Sequence, residues 1–470
     1  MLKFLTSINY LESYKIFNIS NSARLLNKLI NIFSLNEGIF ISLLFRCWQM
    51  FSGAFVLFAV SLCLSQEEQG YFYTFNSLVG LQVIFEMGLA FVIFQFSGHF
   101  FANLEWSNKG SLSGDSEDIN RVHLFLNKAW KWYVVLAILV SLIVTPAGYY
   151  FLKSHSESVI VNWEYPWIFL VLLSSVNLIN LPLLAVIEGG GNVSSVNKLR
   201  VLQGIIGSSL SWVLLWSGFG LWFACIPVLV SSICSQLWIW KHFPILLKSS
   251  LKVKHLDSED LFSWKNEIWP MQWRIGISWI SGYFIFQLFT PVLFHYFGAV
   301  EAGRMGMTIS VAMIITTVGY VWMQANTPEL TQLAAKKQWS EFDNVFFKYF
   351  RQSLVFVVTA IVAIMILINL LKGSIYYSRV LSPELLFLVL LSFAISHIIN
   401  VLAYYLRIHK EEPFMVLSVI GAVILAIGVI NFGRLYGARG ITYYLLFVNL
   451  TYGLPSAWLM WSKMRKRWHV

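Results

Sequence analysis

Charged residues are scarce in this chain. Only 12% of its 470 residues are Asp, Glu, Lys or Arg, whereas 57% are apolar. Soluble domains carry about 25% charged residues, so the composition excludes both a soluble globular protein and a disordered one. Cysteine is also rare: the four cysteines all lie inside apolar runs, so no disulfide framework is expected. The long apolar runs predict an all-α, polytopic membrane protein.

Twelve apolar runs are long enough to cross a bilayer, since a spanning helix needs roughly 20 apolar residues. We number them spans 1 to 12; they occupy residues 38–64, 71–97, 132–152, 166–187, 201–218, 221–240, 266–294, 305–325, 352–371, 382–406, 413–433 and 440–461. A cytoplasmic linker, 241–265, divides them into an N-lobe (38–240) and a C-lobe (266–461). An N-terminal segment, 1–37, precedes the lobes, and its residues 22–34 are amphipathic, which is typical of a helix on the membrane surface.

Lysine and arginine are distributed unevenly between the two sides of the predicted bundle. With a cytoplasmic N-terminus, 25 of the 33 fall in cytoplasmic segments, including the basic tail 462–470. Six fall in outer loops and two within spans. Because cytoplasmic loops retain positive charge, both termini are predicted to be cytoplasmic. The net charge of +10 then indicates contact with anionic membrane lipids, and no nucleic-acid partner is expected.

A short motif recurs at matching places in the two halves. Glu68-Gln69-Gly70 lies at the outer end of the first hairpin, and Glu301-Ala302-Gly303 lies beyond the outer end of span 7, just before span 8. The same shift of 233 residues aligns Ser77 with Ser310. The recurrence predicts a duplicated six-helix unit, with two pseudo-symmetric bundles related by an axis along the membrane normal.

Four ionisable residues lie inside predicted spans: Arg46, Glu86, Glu267 and Arg274. Each costs at least ~2.5 kcal/mol at the bilayer centre unless it is paired or hydrated. The planar fork of arginine suits phosphate, so one hypothesis is that Arg46 and Arg274 bind a diphosphate in a hydrated cavity. The alternative is structural: Arg46 pairs with Glu86, and Glu267 neutralises Arg274. Glu86 and Glu267 are also candidates for coupling transport to an ion.

Polar and aromatic side chains accompany the two arginines on spans 1 and 7. Candidates for contact with a sugar are Trp48, Gln49, Gln272, Trp273 and Trp279. Most other tryptophans fall at span ends, which is typical of an interfacial belt. No zinc or nucleotide signature occurs, so no metal or cofactor is expected. Whether H⁺ or Na⁺ serves as a coupling ion is left open.

Three segments carry a resemblance to a known family: LSQEEQGYFYTF before and into span 2, EIWPMQWRIGISWISGYF in span 7, and NTPELTQLAAKKQWSEFD after span 8. They resemble bacterial polysaccharide (O-antigen type) flippases of the multidrug/oligosaccharidyl-lipid/polysaccharide exporter (MOP) superfamily. That family typically has E-x-G-x-Y at the start of span 2; here Phe72 stands at the tyrosine position.

The resemblance implies two bundles in a V that opens alternately to either side of the bacterial inner membrane. It also implies a cationic cavity that moves an undecaprenyl-diphosphate-linked oligosaccharide to the outer leaflet, for O-antigen or capsule-type assembly alongside other polysaccharide-assembly proteins. Such a protein is a transporter and not an enzyme.

Two alternatives remain. An ion-coupled multidrug exporter of the same superfamily would favour several carboxylates for cationic drugs, whereas here two arginines balance two glutamates. A membrane polymerase or glycosyltransferase would build its site on large outer loops, but the largest predicted outer loop, 153–165, has thirteen residues.

Overall fold

The computed structural model describes residues 37–107, 110–154, 161–251, 263–409 and 414–468. The amphipathic segment predicted over 22–34 lies outside the described residues. Among the described residues, the strands are limited to one two-stranded hairpin, β1 (Glu105–Trp106) paired with β2 (Leu112–Ser113). The rest of the ordered backbone is helical, which confirms the predicted all-α class.

Among the described residues, the first half of the chain contains ten helices. They are α1 (Glu37–Cys63), α2 (Gln66–Val79), α3 (Gln82–Glu86), α4 (Leu89–Phe100), α5 (Ser116–Lys153), α6 (Glu164–Leu178), α7 (Leu181–Gly189), α8 (Val193–Trp216), α9 (Ile226–His242) and α10 (Pro244–Leu251). One short 3₁₀ turn, Phe101–Asn103, follows α4, and another, Gly220–Cys225, precedes α9.

The described part of the second half contains nine helices. They are α11 (Trp269–Phe286), α12 (Phe289–Phe297), α13 (Ala299–Ala325), α14 (Thr327–Ala335), α15 (Trp339–Leu370), α16 (Ile375–Arg379), α17 (Pro383–Ile408), α18 (Phe414–Val448) and α19 (Leu454–Trp468). Two π-helical turns, Trp264–Ile268 and Asn449–Gly453, lead into α11 and α19.

The helices of the described residues supply eleven apolar elements long enough to cross a membrane, nine of them single and two of them bent pairs. One of these elements, Phe414–Trp468, has 55 residues. At 1.5 Å per residue it would extend about 80 Å, far more than the ~30 Å hydrocarbon core. It must therefore contain more than one span.

The chain reverses direction inside α18, at Gly437. Its φ of 60° and ψ of −143° are not helical, and glycine adopts this φ without strain. The Tyr444 hydroxyl donates to the Ile424 carbonyl at 2.9 Å, and the Tyr452 hydroxyl donates to the Leu417 carbonyl at 2.9 Å. Residues before and after Gly437 thus pack antiparallel. This hairpin gives spans 11 and 12, and brings the total to the predicted twelve.

Spans 2 and 7 are bent rather than straight. Span 2, predicted as one run over 71–97, begins earlier, at Gln66, and bends by 46° between Glu86 and Leu89. Met87 and Gly88 at this break are both left-handed, with φ of 53° and 66°. Span 7 bends by 43° between α11 and α12.

The two halves meet on one side of the molecule at a glycine contact between α2 and α13. A Cβ placed on Gly70 would lie 1.9 Å from the carbonyl oxygen of Ala299. One placed on Gly303 would lie 2.8 Å from the Gly70 nitrogen and 3.3 Å from the Gln66 carbonyl oxygen. Gln66 and Ala299, like Gly70 and Gly303, are 233 residues apart. The contact is therefore reciprocal, as at a two-fold interface, and its axis passes between equivalent positions of the repeat.

Hydrogen bonds adjoin this glycine contact. We call the whole region the outer seam, because the distribution of lysine and arginine predicts that it lies on the outer side of the membrane. Buried Gln69 donates from Nε2 to the carbonyls of Gly303 and Arg379, both at 2.9 Å. The guanidinium of Arg379, 4% exposed, donates to the Leu64 carbonyl. Burial lowers the pKa of Arg379, and nearby Glu67 and Glu68 oppose that effect.

On the opposite side the two halves meet through side chains, in a region that we call the inner seam. Arg121 at the start of α5 forms an ion pair with Glu267 at 2.5 Å. The Arg46 guanidinium on α1 donates to the Gln324 side chain on α13. Phe125 and Trp264 stack with ring centroids 6.0 Å apart. The space between the halves lies between these two seams.

Candidate functional site

A cavity of about 1070 Å³ lies between the two halves. Residues of spans 1, 2, 4, 5 and 6 form one wall, and residues of spans 7 and 8 form the other. Small-molecule pockets usually measure about 300–1,000 Å³, so this cavity suits a ligand at or above the upper end of that range.

Five carboxamides on five different spans line this cavity: Gln49, Asn76, Asn177, Gln203 and Gln287. Gln203 is fixed in the wall because its Nε2 donates to the Ser231 carbonyl at 3.2 Å and to Ser235 Oγ at 2.9 Å. The Gln287 Oε1 accepts from Ser77 Oγ at 3.3 Å, a bond between the two halves. An amide offers both donors and acceptors, so these groups can bond a ligand hydroxyl in either sense.

Aromatic rings cover much of the remaining wall: Phe45, Trp48, Phe72, Tyr73, Phe91, Phe94 and Phe286. The indole of Trp48 lies over Gly204, where an added Cβ would be 3.0 Å from the indole Cδ1. A glycine on α8 therefore allows this ring to lie close against the helix. Rings combined with carboxamides suit a ligand that has both apolar faces and hydroxyl groups.

The charged side chains in the described cavity wall are Glu188 and Arg200, and they are bonded to each other. Arg200 Nη1 donates to Glu188 Oε1 at 2.8 Å, and Nη2 donates to Oε2 at 2.7 Å. This two-pronged geometry is the strongest form of the arginine–carboxylate pair. It also neutralises the wall, because each charge has its partner in place.

Arg46 and Arg274, the predicted diphosphate ligands, lie beside the cavity and not in its wall. Arg46 is one helical turn from Gln49, a lining residue, and contacts Gln324 across the inner seam. The Arg274 guanidinium lies 5.5 Å from the ring centroid of Trp273. Both side chains are exposed, and neither pairs with a carboxylate among the described residues. The two guanidiniums are thus available to an anion.

Glu86 and Glu267 are engaged with other partners. Glu86 Oε1 accepts from the Tyr133 hydroxyl at 2.9 Å and from the Ala90 amide at 3.1 Å. Through the second bond, Glu86 caps the half-helix that follows the break in span 2. Glu267 accepts from Arg121 across the inner seam. The alternative pairs, Arg46–Glu86 and Arg274–Glu267, are not formed in this conformation.

The predicted sugar contacts divide into two groups. Trp48 and Gln49 are in the cavity wall. Gln272 is buried and accepts from Trp264 Nε1 at 3.3 Å, and Trp279 packs against Gly88 at the break in span 2. The Arg274 guanidinium lies over the Trp273 ring. Gln272, Trp273 and Trp279 are therefore not part of the described wall.

Several lining residues are not among the predicted site residues, above all the pair Glu188 and Arg200. Both fall between the predicted spans 4 and 5, although α8 already begins at Val193. A signal was present: Arg200, Gln203, Ser208 and Ser211 follow helical spacing on one face. Because Arg200 precedes the predicted start of span 5, the stripe is not contained in a single predicted span.

Comparison with known proteins follows from this geometry. No family model matches the sequence, and no curated protein matches it either. Solved structures do match. The lipid II flippase MurJ, in an inward closed conformation, aligns with a TM-score of 0.61 at 13% identity over 92% of this chain and 89% of that one.

Multidrug transporters match as well. An inward-facing MATE family transporter of the MOP superfamily gives a TM-score of 0.54 at 15% identity, covering 88% of this chain and 99% of its own. The MATE multidrug transporter DinF-BH gives 0.56 at 13% identity over 90% and 94%. At these identities the likeness establishes the fold. The chain is a multi-pass membrane protein with the fold of MOP superfamily transporters and flippases.

Proposed function

We propose that this chain is a flippase that moves an undecaprenyl-diphosphate-linked oligosaccharide across the bacterial inner membrane, with both termini in the cytoplasm. The observation that carries the proposal is the cavity between the halves. It is large, it is lined by carboxamides, hydroxyls and rings, and its charged pair is internally neutral. Sugars present hydroxyl groups and apolar ring faces, which this lining complements.

The two arginines beside the cavity support the diphosphate part of the proposed substrate. A diphosphate carries negative charge that cannot enter the membrane unpaired. Arg46 and Arg274 are exposed cations in the predicted inner halves of spans 1 and 7, and no carboxylate among the described residues neutralises either. We assign the diphosphate to these two groups and the sugars to the cavity beyond them, with Trp48 and Gln49 at the boundary.

Alternating access supplies the transport step in this proposal. The outer and inner seams join the halves on the two sides of the cavity, so in this proposal opening one seam widens access to the cavity from that side of the membrane. Bends in spans 2 and 7, both of which contribute to the wall, supply places where the halves can change their angle. Glu86 caps one of the bent spans, which keeps it a candidate for coupling this motion to an ion.

A multidrug exporter is the second candidate, since MATE transporters share the fold. A cavity for cationic drugs would favour free carboxylates, but Glu188 there is held by both terminal nitrogens of Arg200. This pairing favours the flippase over the exporter.

Genetic complementation tests the proposal. In a strain that synthesises the repeat unit but lacks its flippase, expression of this chain should restore surface polysaccharide and clear lipid-linked repeat units from the inner leaflet. Arg274→Ala should reduce this at least ~10-fold. Arg274→Lys should retain part of the activity, since lysine keeps the charge but loses the fork.

Arg434→Ala is the matched control, because Arg434 is equally exposed but lies in the turn between spans 11 and 12. Normal transport by Arg274→Ala would remove the site assignment and leave the function standing. Drug resistance conferred without any change in polysaccharide would replace the flippase with the exporter.

A further inference from the structure

The cavity wall also specifies which sugars can enter. We propose that this chain transports oligosaccharides built from uncharged sugars, N-acetylated ones included, and discriminates against repeat units that bear a carboxylate or a free amine. The inference rests on the proposed function and deepens it, because it concerns the substrate class of the same cavity.

The first step is the hydrogen-bonding capacity of the wall. Gln203 uses both Nε2 protons on α9, and its Oε1 receives no bond from a described residue. Gln287 is the reverse: its Oε1 accepts from Ser77, and its Nε2 donates to none of the described residues. The wall therefore offers at least one neutral acceptor and one neutral donor on opposite sides, which are the partners of sugar hydroxyl and acetamido groups.

The second step is the state of the charged pair. A sugar carboxylate in the cavity needs a cation, and the described wall offers Arg200. Both terminal nitrogens of Arg200 already bond Glu188, at 2.8 and 2.7 Å, and Nη1 also bonds Asn197 Oδ1 at 3.2 Å. Arg200 keeps further N–H donors, but its single positive charge is already balanced by Glu188, so two carboxylates would share one cation and one uncompensated negative charge would remain. The same argument with signs reversed applies to a sugar amine and Glu188.

The third step is the separation of charge from the wall. Arg46 and Arg274, which no carboxylate among the described residues neutralises, lie outside the described lining, in the predicted inner halves of spans 1 and 7. A carboxylate deeper in the oligosaccharide would have to leave these groups behind. Cations are therefore present for the diphosphate, which all these substrates carry. The described cavity wall offers no unpaired charge for the ionised sugars that only some repeat units contain.

A reconstituted assay tests this inference. Purified protein is placed in liposomes that contain two undecaprenyl-diphosphate oligosaccharides of equal length, one of neutral hexose and N-acetylhexosamine, the other with one hexuronate replacing a hexose. Proton and sodium gradients are imposed in each direction. Appearance of sugar at the outer face is followed with membrane-impermeant periodate. The neutral lipid should cross at least ~10-fold faster, which is about 1.4 kcal/mol of discrimination.

Two variants of the charged pair should shift the ratio of the rates in opposite directions. Glu188→Gln frees the Arg200 guanidinium, so the acidic lipid should gain on the neutral one. Arg200→Gln leaves Glu188 charged and unpaired, so the acidic lipid should lose further. Both variants lose the same ion pair, and the ratio is taken within one preparation, so a general loss of folded protein does not affect the comparison.

The outcomes separate the two proposals. Equal rates for both lipids in the wild-type protein would overturn the inference while leaving the flippase intact. Movement of neither lipid under any gradient would overturn both. A ratio that stays the same in Glu188→Gln would overturn the assignment of discrimination to this pair.

Discussion

The outer and inner seams join the same two halves by different means. In the outer seam backbone meets backbone at Gly70 and Gly303, and the polar group that spans it, Gln69, is 1% exposed. In the inner seam the contact is between long side chains: Arg121 and Glu267 are 37% and 29% exposed. Exposed ion pairs contribute only about 0–1 kcal/mol, whereas buried, bonded and closely packed groups contribute more. The difference implies that the ion pair of the inner seam breaks at lower cost than the buried polar contacts of the outer seam.

The largest expected effect comes from adding one carbon to the outer seam. In Gly70→Ala the new Cβ would meet the Ala299 backbone at 1.9 Å, which no side-chain motion can relieve. Overpacking costs typically ~1–3 kcal/mol, so the melting temperature in detergent should fall by several degrees and transport should be largely lost.

Gly282→Ala on α11 is the matched control, since a Cβ there meets nothing within 4 Å. It should melt as the wild type does. Equal melting of Gly70→Ala and wild type would mean that the two halves are not in contact along this strip.

The next effect concerns the polar part of the outer seam. Gln69→Leu keeps the volume but removes both Nε2 bonds; the Gly303 carbonyl keeps its helical bond within α13, whereas the Arg379 carbonyl loses its side-chain partner. An unsatisfied buried acceptor costs ~1–3 kcal/mol. A cysteine at Ser52 in the cavity, in a background without the native cysteines, should then react faster with an impermeant thiol reagent added from the outer side. An unchanged outer rate would show that Gln69 does not hold this side closed.

A smaller effect is expected at the inner seam. A double-mutant cycle of Arg121→Gln and Glu267→Gln should give a coupling energy of only ~0.2–1 kcal/mol, because the pair is partly exposed. The same cysteine should become more reactive from the inner side. A coupling energy above ~2 kcal/mol would make the two seams comparable and remove the asymmetry.

The smallest effect is that of salt. Raising the ionic strength from 0.1 to 1 M shortens the Debye length from about 10 to about 3 Å and weakens exposed charge pairs. Inner-side labelling should rise modestly, while outer-side labelling should stay constant because the outer seam is buried. A parallel rise on both sides would indicate that charge holds both.

The spans were predictable because a membrane span is specified by apolar length alone, and even the Gly437 hairpin was anticipated as two runs, 413–433 and 440–461. The repeated motif contains both Gly70 and Gly303, and the structure brings these two glycines into contact. The break in span 2 is not predictable from the sequence, since Met87-Gly88 lies in the middle of one predicted span, 71–97, that contains no proline. Its cause is tertiary: Gly276 on α11 makes room for Met87, and the capping partner Glu86 is fixed by Tyr133 on α5.

The site was predictable where polarity interrupts an apolar span, as at Trp48 and Gln49. It was not predictable at Glu188 and Arg200, because a pair next to a loop looks like ordinary solvated charge. Which face of α8 points inward depends on its packing against α1 and α9, and that information is not local to the residues concerned.

The meeting of Gly70 with Gly303 on the symmetry axis carries an evolutionary constraint. A surface that contacts its own copy cannot accept bulk on one side unless the other side recedes, so among related chains these two positions and their neighbours on α2 and α13 should covary. A protein consisting of one six-span half with this strip would meet a second copy of itself there, and the present chain would preserve that ancestral pairing within a single polypeptide.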